Sequence, residues 1–507
     1  MMRFAILVPA ALALAGCYHS ADNEADNDLY TDPGELDNDA DGDGDADTGG
    51  DCLGIQCTED GAPVIHVDGE ADSAGDGLTW NTALVSIQQA IDTAHCLALA
   101  CGGTAQVWVA EGTHYIYETD SGDAISLRPG VELFGGFAGD EQALADRALG
   151  EHVTALDGRA GPDSNQRVSH VVIGSDDALI DGVTITGGLA QGSGPYESCG
   201  AGLLAVFSSP IVRHVTFLEN SAGSCGGAGL YTRGGAPIVT GCVFVNNETV
   251  GGSGAAMHVS EGSPQIITSV FLGNDASEGG GALAVTGGST QIERSSFVDN
   301  RTDGYGGALL AIEGADVHLL GCELSGNTAQ GGGAISTGDA DLAAVNSVFY
   351  GNSAYWGGAI YVLNNHSTEL TNCTLTKNYA EEQGGGLLQM NGGNEGLTKI
   401  VGSVLWDDSP DEISLSGIEI GSELLTIAYN DIDGGGFGSG PGNIDADPLF
   451  ANPVEDDFAL SAGSQCIDRA DDAAAPSTDM LGQSRVEVAD TGNDGTFADI
   501  GALEFQP

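Results

Sequence analysis

Basic residues are the scarcest feature of this chain of 507 residues. Lysine and arginine total 13 against 74 aspartates and glutamates, so the formal net charge is −61 at pH 7. A surface of that charge repels the phosphates of nucleic acids and anionic lipid head groups. The composition therefore excludes a nucleic-acid partner and favours cations or neutral polymers.

Signatures of catalysis are also missing. No Ser-His-Asp order, zinc-ligand spacing or phosphate-binding loop stands out, and few basic residues are present that could serve a lyase. The nearest acidic pair, Asp176 and Asp177, is also explained as an outward turn between strands. An enzyme is therefore the less favoured class of function.

Long apolar runs are limited to the N-terminus. After Arg3, the run at 4–15 is too short to span a bilayer but has the size of a signal-peptide core. Its end, "LAGC" at 14–17, resembles a bacterial lipobox, which implies removal of residues 1–16 and acylation of Cys17; an ordinary secretion signal is the alternative. Because Tyr18 follows the cysteine instead of aspartate, we expect an outer-membrane protein, anchored by lipid at the cell surface.

An acidic stretch, predicted to be a flexible tether, occupies residues 17–60. It has too few apolar side chains to repay the entropy of ordering. Carboxylates alternate at Asp37, Asp39, Asp41 and Asp43. A calcium loop has glycine in the sixth place and glutamate in the twelfth. Counted from Asp37, the sixth residue is Gly42 and the twelfth is Thr48. Calcium binding and a charged spacer both stay open, and no other cofactor is indicated.

Residues 61–150 are predicted to form an N-terminal cap and the first coils. "PVIHV" at 63–67 is typical of a strand, and Asn81 is expected to cap a short helix that ends near Ala94. Ile87 and Ile91 fall on one face of that helix. We expect this apolar face to close the end of the core.

A repeat fills the region 151–440. Its unit is a large apolar residue, two variable residues and an asparagine, followed by a glycine-alanine step. The repeated asparagines are Asn220, Asn247, Asn274, Asn300, Asn327, Asn352 and Asn378. They are separated by 27, 27, 26, 27, 25 and 26 residues. A fixed period in this range indicates a stacked architecture.

The period suits coils of three short strands, stacked at about 4.8 Å. Asparagines at equivalent positions can form a hydrogen-bonded ladder. Glycine permits the positive φ of a tight corner, and the small alanine after it can enter a crowded interior. The sequence predicts an all-β fold, a single-stranded parallel β-helix, with C-terminal coils and a cap over residues 441–507.

Ten cysteines remain besides the lipidated one, which fits an oxidising compartment. Two pairs are close in sequence, and a third pair is one coil apart. The disulfides expected from these spacings are Cys52 with Cys57, Cys96 with Cys101, and Cys199 with Cys225. Cys466 has no evident partner.

Two family resemblances support the same fold. "FxxN" followed by "GGA", over about residues 200–390, resembles the repeats of chlamydial polymorphic outer-membrane proteins. "NIDADPLF" (443–450) and "DIGALEF" (499–505) are similar to the end of bacterial choice-of-anchor β-helix proteins, although Leu503 departs from the usual pattern. These resemblances imply a right-handed, pectin-lyase-like β-helix and a surface-exported protein. They imply no particular chemistry.

Aromatic residues between the asparagine and the double glycine are the best candidates for a binding site. Tyr305, Tyr355, Trp356 and Tyr379 are expected to form one surface strip, with Asp303 nearby. Exposed aromatic rings on a rigid scaffold stack on sugar faces, and carboxylates accept hydroxyl hydrogens. Folding of these rings over a coil edge is the structural alternative.

Two functional classes follow from these features. The favoured one is a binding, adhesion or structural module directed at glycan or at a neighbouring cell surface. The alternative is a polysaccharide hydrolase or lyase of the same fold. Resemblance to a galacturonan hydrolase would require Gly-His-Gly and Arg-x-Lys segments, and the sequence has neither.

Overall fold

The structure is a computed structural model. It describes residues 52–507 except 53, 59–60, 72–74, 364–365, 391–395, 418–421, 436–439 and 489–496. The chain divides into two compact units, residues 1–45 and 46–507, and all described residues belong to the second. The signal peptide, Cys17, most of the tether and the candidate calcium carboxylates at 37–43 lie outside the described residues.

A helix, Ile87–Cys101, packs against the first strands of the second unit. Ser86 caps it, because its Oγ accepts a hydrogen bond from the backbone N–H of Gln89 at 3.3 Å. The prediction that Asn81 is the cap was wrong, since Asn81 lies in the 3-10 turn Trp80–Thr82. Leu84 then bridges to Val67, so the chain stays extended until Ser86. Two further 3-10 turns are Leu144–Asp146 and Pro453–Glu455.

Four parallel sheets form the body of the solenoid, and the expected three strands per coil are joined by a fourth short strand that directly follows each ladder asparagine. The long sheet contains Ile65–Val67, Ala105–Ala110, Val131–Phe137, Leu179–Asp181, Ile211–Arg213, Ile238–Thr240, Gln265–Ile267, Ser289–Glu293, Asp316–Leu320, Asp341–Val345, Ser367–Thr371, Leu397–Val401 and Leu425–Ala428. The phenylalanine sheet contains Gly112–Tyr115, Thr154–Asp157, Val183–Thr186, Thr216–Leu218, Val243–Val245, Val270–Leu272, Ser296–Val298, Glu323–Ser325, Val348–Tyr350, Thr374–Thr376, Val404–Trp406 and Asp431–Ile432.

The other two sheets are shorter. The leucine sheet contains Ile125–Ser126, Val172–Ile173, Leu203–Val206, Leu230–Arg233, Met257–Ser260, Leu283–Thr286, Leu309–Ile312, Ile335–Gly338, Ile360–Leu363, Leu387–Met390 and Ile413–Ser416. The short sheet contains Leu189–Ala190, Ser221–Ala222, Glu248–Thr249, Asp275–Ala276, Arg301–Thr302, Thr328–Gly331, Ser353–Trp356 and Tyr379–Gln383. Each strand pairs with the equivalent strands of neighbouring coils, so like residues lie above like.

The core shows this register most directly in its phenylalanines. Phe217, Phe244, Phe271 and Phe297 are fully buried and stack with ring centroids 4.4 to 4.8 Å apart. That distance is the spacing of neighbouring strands in a sheet. The rings therefore repeat once per coil along the axis of the stack.

The predicted asparagine ladder is present. In each step, the side-chain Nδ2 of one asparagine donates to Oδ1 of the next at 2.9 to 3.1 Å. The same Nδ2 also donates to a backbone carbonyl of the preceding coil, for example from Asn300 to Phe271 at 2.9 Å. All seven asparagines are buried. Their amides satisfy backbone groups at a corner of every coil, where an unpaired group would be costly.

The two consecutive glycines before the leucine-sheet strand Leu309–Ile312 have different roles. Gly306 has φ +72°, which an L side chain rarely adopts. Gly307 has ordinary φ, but a Cβ there would lie 2.1 Å from the backbone oxygen of Gly333. In the coils of Gly227 and Gly254, the glycine-alanine step lies one residue further from the start of the leucine-sheet strand than it does in later coils.

The C-terminal segment folds back on the solenoid. It starts with an antiparallel hairpin, Phe450–Asn452 with Asp457–Leu460. Phe458 and Ala502 then pack on Val348 of the phenylalanine sheet. The buried Arg485 pairs with Glu504 at 2.8 Å, and Asp499 accepts a hydrogen bond from the N–H of Phe505 at 2.6 Å. The "DIGALEF" residues therefore pack on successive coils of the phenylalanine sheet.

The disulfides of the N-terminal region differ from the expected local pairs. Cys52 pairs with Cys96, and Cys57 pairs with Cys101. The helix carries Cys96 and Cys101 to the segment that holds Cys52 and Cys57, so the bonds tie that segment to the helix. Cys199 and Cys225 form a third disulfide between neighbouring coils, as their spacing predicts.

Candidate functional site

The outer face of the short sheet carries the aromatic residues that the sequence indicates. One alanine in each strand is buried, and the residues on either side of it in the same strand face outward. These equivalent alanines are Ala329, Ala354 and Ala380. Arg301, Thr328, Ser353 and Tyr379 form one row of aligned positions on successive coils. The sheet thus presents a regular surface on which each coil contributes a few side chains.

Tyr355 and Trp356 form the centre of this surface. Their rings meet edge to face with centroids 4.6 Å apart. Tyr355 is exposed, and its hydroxyl donates to Glu382 Oε1 of the next coil at 2.8 Å. This hydrogen bond raises the pKa of Tyr355. The phenol ring is consequently held in one orientation beside the indole.

Tyr305 and Tyr379 do not join that pair in one strip. Tyr305 lies in the same row as Trp356, but Gly331 of the intervening coil separates them. Two steps of the stack amount to roughly 10 Å. The Tyr305 ring instead stacks on Tyr361 at 5.9 Å. Tyr379 is exposed and begins its strand, so it is aligned with Ser353 and not with Trp356. The expected single strip is therefore divided into three positions, which are Tyr305, the pair of Tyr355 and Trp356, and Tyr379.

Carboxylates lie along the same face. Asp303 forms an ion pair with Arg301 at 2.9 Å. Partial desolvation raises the pKa of Asp275, while the neighbouring Arg301 lowers it. Desolvation also raises the pKa of Glu278. These acids supply hydrogen-bond acceptors on the coils of Asp275 and Tyr305, whereas Glu382 is the acid that contacts Tyr355.

The acidic pair Asp176 and Asp177 serves a turn. Asp177 has φ +53°, and Asp176 Oδ1 accepts a hydrogen bond from the backbone N–H of Ser209 at 2.8 Å.

Within the described ranges, no group of three or more His, Cys, Asp or Glu is arranged to hold a metal ion. In the same ranges, no helix has the length and apolar character needed to cross a membrane.

A second candidate site, here called the Trp406 cleft, has a volume of about 260 Å³. One wall comes from the ends of two phenylalanine-sheet strands, and the other comes from the C-terminal segment. The wall residues are Thr376, Lys377, Trp406 and Asp407 on the first side, and Asp447, Leu449, Phe450 and Pro453 on the second. The repeat pattern does not predict this cleft, because no spacing signal links residue 406 to residue 447.

Lys377 is held at the rim of the cleft. Its ammonium donates to the backbone carbonyl of Pro453, lies 3.7 Å from Asp456 Oδ1 and sits 5.2 Å from the centre of the Phe458 ring. Lys377 therefore fastens the C-terminal segment to the solenoid. Its charge is paired with Asp456, which is not among the residues that line the cleft.

A family model agrees with this architecture. Residues 252–403 match the family model described as "Right handed beta helix region", and the chain is a right-handed parallel β-helix. The crystal structure of pectate lyase Pel9A is similar at 14% identity and a TM-score of 0.44, covering 89% of this chain and 98% of that chain. The crystal structure of PfbA, a surface adhesin of Streptococcus pneumoniae, is similar at 12% identity and a TM-score of 0.30, covering 71% and 96%. No curated protein matches the chain in sequence. At these identities and TM-scores, neither structural likeness bears on function.

Proposed function

We propose that this protein is a lipid-anchored β-helix module of the bacterial cell surface that binds glycan through the outer face of its short sheet. In this proposal, acylated Cys17 holds the chain in the outer membrane, and the acidic residues that follow act as a spacer. The ligand belongs to a polysaccharide or to a neighbouring cell surface. Nucleic acid is not a partner, and calcium in the tether is an optional cofactor.

The pairing of Tyr355 with Trp356 carries the proposal. A sugar ring presents C–H groups on its faces and hydroxyls at its edges, so it suits an aromatic platform flanked by acceptors. The hydrogen bond from Tyr355 to Glu382 fixes the platform before binding. A ligand that meets a fixed platform loses less free energy to ordering of side chains.

A glycan array with the purified mature protein tests this function. Trp356→Ala should reduce glycan retention at least tenfold, since stacking and apolar contact are lost. Tyr355→Phe keeps the ring and removes only the hydrogen bond to Glu382, so it should reduce retention less. Unchanged retention by Trp356→Ala, or no retention of any glycan by the wild type, would refute the assignment of this face.

The alternative is a polysaccharide-active enzyme. The observation in its favour is the raised pKa of Asp275 and Glu278 on the same face, which suits a general acid. A reducing-sugar assay on retained glycans separates the two functions. Release of sugar that is lost in Asp275→Asn would support the enzyme, and retention without release supports the binding module.

The anchor has its own test. Metabolic labelling with a fatty acid should mark the wild-type chain and leave Cys17→Ser unlabelled. Protease added to intact cells should degrade the β-helix if it is exposed at the surface. A labelled Cys17→Ser variant would contradict the lipidation site, and full protection of the chain would contradict surface exposure.

A further inference from the structure

The Trp406 cleft combines an aromatic ring with two acids that have few competing contacts. Within the described part of the chain, the Trp406 indole N–H has no hydrogen-bond partner and the Asp407 carboxylate has neither a hydrogen bond nor an ion pair. Asp447 Oδ1 accepts a hydrogen bond from the N–H of Leu449 at 2.9 Å. Its second carboxylate oxygen is left for a ligand.

The charge balance of the cleft is negative. Lys377 is matched by Asp456 at 3.7 Å, so Asp407 and Asp447 are the uncompensated charges of the cleft. Both aspartates are exposed, so a neutral ligand would gain no charge interaction from them. A cation would interact favourably with the carboxylates and with the face of an indole.

The size of the cleft limits the ligand further. Its volume of about 260 Å³ is slightly below the range of about 300 to 1,000 Å³ that is typical of pockets for drug-sized molecules. One sugar ring fits this space, whereas a folded peptide or a long chain does not. Leu449, Phe450 and Pro453 supply apolar contact on the side of the C-terminal segment.

From these observations we infer that the Trp406 cleft binds the protonated amino group and ring of an amino sugar. The ring lies against the Trp406 indole, and the ammonium group lies between Asp407 and Asp447. This site is on the phenylalanine sheet and is separate from the short-sheet face. The inference therefore stands or falls independently of the glycan site at Tyr355 and Trp356.

Calorimetry with the full mature protein and two matched ligands tests the inference. The ligands are a trisaccharide of glucosamine and its fully N-acetylated counterpart, which has the same rings without the positive charges. The glucosamine trisaccharide should bind and the acetylated one should not. Binding should weaken at high salt, because the ammonium-carboxylate attraction is screened.

Charge-removing variants locate the binding. Asp407→Asn and Asp447→Asn should each weaken binding of the glucosamine trisaccharide by about tenfold, the scale of one hydrogen bond to a charged group. Asp163→Asn removes an equal charge from an exposed loop and should leave the affinity unchanged. Trp356→Ala should also leave it unchanged, which separates this site from the short-sheet face.

Three results would overturn the inference. Equal binding of the acetylated trisaccharide would show that the amino group is not recognised. Equal weakening by Asp163→Asn and Asp407→Asn would show a general effect of net charge. No detectable binding of the glucosamine trisaccharide by a folded wild-type protein would reject the site outright.

Discussion

Asp408 stands where an eighth ladder asparagine would stand, and its Oδ1 accepts a hydrogen bond from Nδ2 of Asn378 at 2.9 Å. In the earlier steps, the Nδ2 group of each accepting asparagine donates in turn to the next asparagine. Asp408 has a second carboxylate oxygen in place of that donor, so it cannot continue the ladder. The backbone N–H of Asp408 donates to Glu412 Oε1 at 3.1 Å. Gly386 replaces the alanine of other coils here, and a Cβ at Gly386 would lie 2.7 Å from Asp408 Oδ2. The ladder thus ends in two buried carboxyl groups.

Asp408→Asn should stabilise the protein at pH 8. Desolvation raises the pKa of Asp408, and desolvation together with Asp408 raises the pKa of Glu412. Both groups are therefore costly to keep ionised, and an asparagine would restore the donor. We expect chemical denaturation to show a free energy of unfolding about 1 to 3 kcal/mol higher in the variant.

The pH dependence of that difference provides a control. A carboxyl whose pKa is raised on folding contributes stability below its unfolded pKa of about 4, and this contribution is lost as pH rises through the folded pKa. The advantage of Asp408→Asn should therefore shrink as the pH falls from 8 to 5. Partly buried histidines such as His258, whose pKa is lowered by desolvation, affect both proteins alike. A variant less stable than wild type at pH 8 contradicts the prediction.

Asn300→Ala tests the middle of the ladder. Oδ1 of Asn300 accepts hydrogen bonds from the backbone N–H and from Nδ2 of Asn274, at 3.0 and 2.9 Å. Nδ2 of Asn300 donates to Oδ1 of Asn327 at 3.0 Å. Alanine would leave several buried groups unpaired, at about 1 to 3 kcal/mol each. We expect the free energy of unfolding to fall by at least about 2 kcal/mol. Thr328→Ala, at an exposed position of the next coil, should change it by less than about 0.5 kcal/mol.

Gly307→Ala and Gly314→Ala separate close packing from backbone conformation. A Cβ at Gly307 would lie 2.1 Å from Gly333 O, so the neighbouring coil would have to move. Gly314 has φ +77° and open space, so alanine there costs only the conformational strain, about 1 to 2 kcal/mol. Thermal unfolding should show a larger loss for Gly307→Ala. Equal losses would mean that the coils are not packed as closely as described.

Residue spacing predicts structure well where one residue type repeats with one function. Asn274 and Asn300 have equivalent neighbours, so their spacing alone predicts the ladder. Spacing does not separate the roles of consecutive glycines, since Gly306 and Gly307 differ in backbone conformation and not in identity. The cleft at Trp406 is hidden for another reason, because the wall that faces it comes from a segment that folds back after the repeats end. A periodic pattern predicts contacts between coils, but not contacts with a non-repeating tail.

The aromatic strip shows the same limit within the repeat. Tyr305 and Trp356 occupy one row, but the coil between them places Gly331 at that position. The space above a glycine lets the Tyr305 ring turn toward Tyr361. The row could be predicted from spacing, while the direction of each ring depends on the side chain of the next coil.

The disulfides of the N-terminal region lead to the final prediction. Local pairs would close loops of about five residues, whereas the observed pairs each join cysteines that are 44 residues apart. The chain-entropy model gives a larger stabilisation for the longer loops, between about 3 and 4.7 kcal/mol. We therefore expect these two bonds to contribute substantially to the stability of the cap.

Counting free thiols in denaturant distinguishes the two pairings. Apart from Cys17, which lies outside the described residues, the wild type should show four free cysteines, Cys242, Cys322, Cys373 and Cys466. The double variant Cys52→Ser/Cys57→Ser should show six, because Cys96 and Cys101 would both lose their partners. Cys57→Ser/Cys101→Ser, which removes one complete disulfide, should still show four. If the first variant shows four free thiols, Cys96 and Cys101 are paired with each other, and the tie between the N-terminal segment and the helix does not exist.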